Sequence, residues 1–203
     1  MIERLSAASG RQVSRETWET LEPFVRLILE ENERQNLISP NSVEMIWDRH
    51  ILDGAQLLGL ADRPGRWCDI GSGPGLPGLV IAILGGRPMT LVEPRRLRAD
   101  FLRQAVESLG LAEVDVVEDR IERVQGTFDL ITARAVAPLD RLFRMAEHLA
   151  ASGTRWVLPK GERAKSELDE ALKCWQGSFR LVPSQTHEGA AIIVAEQVRR
   201  KGK

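Results

Sequence analysis

Apolar positions recur along this chain first at helical spacing and then in short blocks. Over residues 14–36, Trp18, Leu21, Val25, Ile28 and Leu29 fall on one side and Ser14 stands where a cap belongs, which predicts an amphipathic helix. A second helix is expected from Asn41 or Ser42, with Val43, Ile46, Trp47, His50, Ile51 and Leu57 on one side, before "ADRPGR" breaks the pattern. From Trp67 the text alternates. "RWCDI", "MTLVE", "VDVVE", "FDLITAR" and "RWVLPKG" are strand-like. Between them lie "LPGLVIAILG", "RRLRADFLRQAVESLGL" ending at Gly110, a short helix around Arg120 to Val124, and "PLDRLFRMAEHLAASG" ended by Gly153. After "ERAKSELDEALKCW", read as a last helix, "FRLVPS" and "AAIIVAEQV" have no helix between them and should pair antiparallel.

Strands that alternate with helices imply a parallel sheet covered on both faces, and right-handed crossovers make it doubly wound. The expected fold is α/β and Rossmann-like: one domain of residues 1–203, with an N-terminal helical cap over 1–64 and a seven-stranded, mostly parallel sheet over 65–203. In such a sheet the ligand sits outside the carboxyl ends of the strands, at the switch point. A final antiparallel pair after five parallel strands is the layout of methyltransferases that use S-adenosylmethionine.

Composition narrows the classes. With 43% hydrophobic and 28% charged residues the chain can bury a substantial core. No apolar run approaches the roughly 18–20 residues that a bilayer requires, and "MIERLSAASGRQVSRE" has no secretory pattern, so a cytoplasmic protein without membrane association is expected. Cys68 and Cys174 make neither a disulfide framework nor a metal site. The net charge of −1 gives no global pull toward nucleic acid. The charge is uneven, however: Arg95, Arg96, Arg98 and Arg103 cluster in one helix, and Arg199, Arg200, Lys201 and Lys203 close the chain, and either group could meet phosphates.

The densest chemistry is "WCDIGSGPGLPGLVIAI", with the spacing Asp69-x-Gly71-x-Gly73-x-Gly75. A dinucleotide fingerprint needs a third glycine where Leu76 stands, and a P-loop needs Gly-Lys-Ser/Thr, which is absent. A ligand-free turn and a hydride-transfer cofactor remain as lesser alternatives to S-adenosylmethionine. That ligand has no pyrophosphate but needs close backbone approach, which glycine permits. Glu93, ending "TLVE", is placed to accept hydrogen bonds from both ribose hydroxyls. In "EDRIE", Ile121 is a candidate to pack on the adenine and Glu122 to bond its edge, with Asp119 as competitor. "ITARAVAPL" offers Arg134 and no obvious base, and an arginine cannot take up a proton at neutral pH.

The chain resembles the bacterial 16S ribosomal RNA guanine nitrogen-7 methyltransferases, also called glucose-inhibited division protein B. The likeness rests on "NLIS" (Asn36 to Ser39), "RHILD" (Arg49 to Asp53), "DIGSGPGLPG" (Asp69 to Gly78), Phe101 with Leu102, "DRIE" (Asp119 to Glu122), "ARAVAPL" (Ala133 to Leu139) and "LPKG" (Leu158 to Gly161). Departures are Gly54 in place of serine, Arg95 and Arg96 where lysines are usual, and Pro159 before "KG"; Gly54 is expected to loosen the second helix. The resemblance implies that Gly71, Leu76, Ile121, Glu122 and Arg134 border the cofactor. It also implies a guanine of the 530-loop region of 16S rRNA as target, methylated at nitrogen-7 by direct attack without a general base. Catalytic candidates are Arg134, Lys160 and His50. The expected partner is 16S rRNA within the small ribosomal subunit or an assembly intermediate, met by a monomer. A small-molecule methyltransferase and a non-catalytic RNA-binding module are the rival readings.

Overall fold

The computed structural model describes residues 1–61 and 64–202; Asp62 and Arg63 of the expected break, and Lys203 of the basic tail, lie outside the described residues. Four helices come first: α1 (Ile2–Ser9), α2 (Arg15–Gln35), α3 (Pro40–Val43) and, after a π-helical turn at Trp47–Leu52, α4 (Asp53–Ala55). The core then runs β1 (Trp67–Ile70), α5 (Gly78–Gly85), β2 (Met89–Val92), α6 (Arg96–Ser108), β3 (Val114–Val117) and β4 (Phe128–Ala133). It continues with α7 (Leu139–Ala146), β5 (Ala150–Lys160), α8 (Ala164–Ala171), β6 (Trp175–Pro183) and β7 (Ala191–Arg200). The sheet has seven strands in the order β3-β2-β1-β4-β5-β7-β6. β1 pairs in parallel with both β2 and β4, and β7 runs antiparallel to both β5 and β6. The order reverses between β1 and β4, so a crevice opens above the carboxyl ends of those two strands.

Strand periodicity divides the core in two. Trp67 and Leu130 face the side covered by α5, α6 and the N-terminal helices, in one apolar cluster with Leu5, Phe24, Ile51 and Leu79. Cys68, Ile70 and Ile131 face the side covered by α7 and α8, where Phe143 meets Trp156 edge-on at 5.1 Å and Trp175 at 5.3 Å. Sharing one apolar cluster with the sheet anchors the N-terminal helices over its edge, beside the crevice.

The expected α2 is present with Ser14 as its cap, its hydroxyl accepting from the Thr17 amide at 3.2 Å. One element was not expected, and four expectations need correction. The pattern over residues 2–9 passed unread; it is α1, which buries Leu5 and Ala8 and ends at Gly10 with φ +67°. The second helix is broken into α3, the π-helical turn and α4. Gly54 does not loosen it: a Cβ there would stand 3.1 Å from the Val80 side chain, so the missing side chain lets α4 lie close on α5. The helix expected to reach Gly153 ends at Ala146, because Thr154 accepts from the Ala151 amide (2.8 Å) and donates to the Phe128 carbonyl (2.6 Å), drawing "AASG" into β5. Trp175, read as helical, opens β6 and is fully buried.

Candidate active site

The glycine loop leaves β1 and crosses to the end of β2. The amides of Gly71 and Ser72 both donate to the Val92 carbonyl, at 2.8 and 3.1 Å. Gly71, Gly73 and Gly75 hold φ of +66°, +55° and +86°, a region costly for residues with a Cβ. Their surroundings differ. A Cβ on Gly71 would meet Val136 at 2.7 Å and one on Gly75 would meet Leu79 at 2.6 Å, so both are packed from within. A Cβ on Gly73 would meet nothing nearer than an Arg98 nitrogen at 3.8 Å. Gly73 is therefore the loop glycine with room at its Cβ position, while the residue itself is buried.

Glu93 is 3% exposed, and its two oxygens accept from the amides of Gly73 and Arg95, each at 2.9 Å. The carboxylate thus ties the loop to the start of α6, and its remaining lone pairs can accept further donors. Asp69 lies beneath the loop, fully buried; Oδ2 accepts from the Gly78 amide at 3.2 Å at the start of α5, while Oδ1 has no partner among the described residues. Burial raises its carboxyl to about 7, against the opposing influence of Ser72, the Gly78 amide and Arg134. Leu76 packs into the core at 3% exposure, and Ile121 at 4%, on a 3₁₀ turn whose Glu122 is exposed. The Asp119 carboxylate is engaged locally, by the Arg120 amide at 2.7 Å and by Arg123 at 3.6 Å.

The three catalytic candidates gather elsewhere along the same edge. A cavity of about 540 Å³ lies over the ends of β4 and β5, and His50, Arg134 and Lys160 all line it. Val136 lines it too, so that one side chain separates the glycine loop from this cavity. Ala135, with φ +57°, makes the turn that places Val136 there. Arg134 Nη1 donates to the Arg49 carbonyl (3.2 Å) and pairs with Asp53 Oδ2 (3.4 Å). Asp53 Oδ1 accepts from Thr186 and from Gln56, each at 2.9 Å, and Gln56 in turn accepts from the Gln185 amide. "RHILD" is thus stitched to the β6–β7 hairpin and to Arg134 together. Lys160 is no free surface cation: its ammonium donates to the Ala137 carbonyl and pairs with Glu167, both at 2.9 Å.

Both ring nitrogens of His50 are buried without a hydrogen-bond partner among the described residues. Burial, together with the positive charges of Arg134 and Arg49, lowers its pKa to about 4, so the imidazole is neutral at physiological pH. His50 and Asp69 therefore push stability in opposite directions. His50 binds a proton more readily when unfolded, so its contribution is present above about 6.5 and is lost as pH falls toward 4. Asp69 binds one more readily when folded, so its contribution is present below about 4 and is lost as pH rises toward 7. The two nearly cancel in the native chain. Thermal melts from pH 4 to 7 should show stability falling with pH in His50→Gln and rising in Asp69→Asn, with Tm excursions of roughly 5 °C; parallel curves for both variants would refute the assignment.

Sequence reasoning missed Gln56, Thr186 and Val136, whose contacts join distant segments and leave no local pattern, and Glu167, which reaches Lys160 from the next helix. Asp53 was within reach, since it closes "RHILD". The basic groups also separate. Arg103 is paired with Asp100 (2.8 Å) and Glu118 (2.9 Å), and Arg96 lies 3.7 Å from Asp100. The tail does not share the site's edge: Ala191 lies opposite Lys160, so antiparallel β7 carries Arg199 and Arg200 to the other end of the sheet, where Arg200 pairs with Glu147 and lies over Trp175. Among the described residues no helix is long and apolar enough to cross a membrane, and no group of three or more His, Cys, Asp or Glu is placed to hold a metal ion.

Comparison with known proteins bears on the family and the fold. A family profile described as rRNA small subunit methyltransferase G (GidB) matches residues 17–189. A "Ribosomal RNA small subunit methyltransferase G" of Rhizorhabdus wittichii is 50% identical over 197 residues, spanning 95% of this chain and 91% of its own. One of Sphingopyxis alaskensis is 48% identical, spanning 89% and 79%. Among solved structures, a putative S-adenosyl-L-methionine-dependent methyltransferase of Methanococcus maripaludis superposes with a TM-score of 0.60 over 88% of this chain and 94% of that one, at 14% identity, a likeness of fold.

Proposed function

Because this chain belongs to the rRNA small subunit methyltransferase G family, we propose that it transfers a methyl group from S-adenosylmethionine to nitrogen-7 of a guanine in 16S ribosomal RNA, in the 530-loop region. The residues fit the donor. The loop has room at the Gly73 Cβ position, Glu93 keeps acceptor capacity for ribose hydroxyls, and the orphaned Oδ1 of Asp69 lies under the loop. Gly71, Gly75 and Leu76 shape the loop from within, while Ile121 and Glu122 stand after β3 on the adenine side. Bound there, the donor supplies a methyl carbon made electrophilic by its sulfonium.

The observation that carries the acceptor reading is that none of the three catalytic candidates is placed to act as a base. Arg134 and Lys160 are committed as donors to Asp53 and Glu167, and an imidazole whose conjugate acid has a pKa of about 4 is a poor proton sink at neutral pH. Nitrogen-7 of guanine needs none: its in-plane lone pair attacks and no proton leaves. Catalysis then reduces to alignment and electrostatics. Positive charge develops on the base, and the pairing of Arg134 with Asp53 and of Lys160 with Glu167 keeps the two cations from opposing it. Nη2 and Nε of Arg134 remain to orient the donor carboxylate or the guanine O6, and neutral His50 helps shape the cavity wall.

The substrate is a folded small subunit or its assembly intermediate, whose shape adds recognition that a near-neutral protein lacks on naked RNA. Mass mapping of 16S RNA from cells with and without this protein should show one guanine losing its 7-methyl mark. An unchanged map, with label from tritiated donor appearing in small metabolites, would overturn the reading. Protein-free transcript methylated as fast as assembled subunits would overturn the particle requirement alone.

A further inference from the structure

The cavity carries more positive charge than its chemistry uses. Its lining includes four cations, Arg49, Arg134, Lys160 and Arg163, against two carboxylates, Asp53 and Glu167. The carboxylates are committed to Arg134 and Lys160. Arg49 and Arg163 are exposed and have no acidic partner among the described residues, in contrast to Arg96, Arg103 and Arg200. They reach the cavity from two unrelated segments, Arg49 from the π-helical turn and Arg163 from the loop between β5 and α8. In a protein of net charge −1 this is a local excess at the one edge where an acceptor enters. An unpaired guanidinium on a rim is suited to a phosphate oxygen, which it can grip through two N–H groups.

Resting on the rRNA reading above, we infer that Arg49 and Arg163 form a phosphate clamp at the cavity mouth, gripping the RNA backbone beside the nucleotide presented to Arg134. The α6 and tail cations that stand out in the sequence are placed elsewhere: Arg96 and Arg103 pair with acids, Arg98 lies beside the glycine loop at Gly73 and not in this cavity, and the tail is at the sheet's far end. The positive field of Arg49 is felt inside the cavity, where it helps keep His50 neutral. Each clamp arginine releases condensed counterions on binding, so each adds to the salt dependence of association.

The test is the affinity for small subunits from cells lacking this protein, measured without donor across a KCl series. Arg49→Ala and Arg163→Ala should each lower the slope of log K against log salt by roughly 0.7–0.9, with additive loss in the double variant. Arg→Lys at either position should restore the slope, and Arg15→Ala, whose side chain pairs with Glu19, should match the native protein. Donor affinity by calorimetry should stay unchanged throughout. Both substitutions leave intact the backbone contacts made by these residues, the Arg49 carbonyl to Arg134 and the Arg163 carbonyl to the Glu167 amide. Unaltered slopes in native-like folded variants, or a loss of donor affinity instead, would overturn the clamp. A slope change with subunits that is absent with protein-free 16S RNA would overturn it in favour of a ribosomal protein. Subunits that bind with the expected slopes yet receive no methyl group would sink the methylation reading and leave the clamp standing.

Discussion

Gly73→Val should abolish donor binding while the domain stays folded. Two effects follow from this substitution, and they are separable. The residue holds φ +55°, so a β-branched side chain costs about 1–2 kcal/mol of backbone strain. Its side chain also fills the space between the loop and Arg98, whose guanidinium nitrogen is the nearest atom to the Cβ position at 3.8 Å. The second effect should raise the donor Kd at least ~100-fold, equivalent to roughly 2.7 kcal/mol. Gly86→Val supplies the control for strain: it has φ +54°, nothing within 4 Å, and lies at the end of α5 away from the loop. Both variants should lose a few degrees in Tm, and only Gly73→Val should lose donor affinity in calorimetry. Equal affinity in the two would mean that the loop is not the donor site.

Arg134→Ala should lower kcat by at least ~100-fold, the scale of removing one preorganised electrostatic contact in an active site. Arg134 stands at the junction of the two halves of the site, acting on both Asp69 and His50 and anchored through Asp53 to the N-terminal helices. The stability cost should be smaller, about 1–3 kcal/mol, because Asp53 is only partly buried and keeps Thr186 and Gln56 as partners. Arg134→Lys retains the charge and loses the planar fork, so it should restore stability better than turnover. Normal turnover in a destabilised Arg134→Ala protein would make this residue a tie between the N-terminal helices and the sheet, with no part in the chemistry.

The donor half of the site was legible because its elements are consecutive. Asp69, the glycines and Leu76 fall in one turn, and Glu93 ends the next strand; spacing alone brings them to one sheet edge once parallel pairing is assumed. The other half was legible only as separate residues. His50, Arg134 and Lys160 carried no mutual spacing that would place them around one cavity; Asp53, which holds Arg134, lies 81 positions away, while Glu167 holds Lys160 from the helix that follows it. The basic tail shows the opposite failure. Its composition suggested an RNA contact, but strand direction puts it at the far end of the sheet.

Local chemistry, then, decided what could be read in advance. Hydrophobic period set most of the strands and helices from Trp67 onward, the order of those elements set a doubly wound sheet, and the glycine spacing argued against a dinucleotide and pointed to a donor without pyrophosphate. Each depends on residues within a turn or two of one another, so the string of letters contains it. Tertiary structure alone decided which cations are spent and which are free, which loop glycine has room for a Cβ and which packs on Leu79, and that a buried histidine beside two cations is neutral. Those properties depend on charge, burial and distance between segments far apart in the chain, and only the fold brings them within reach.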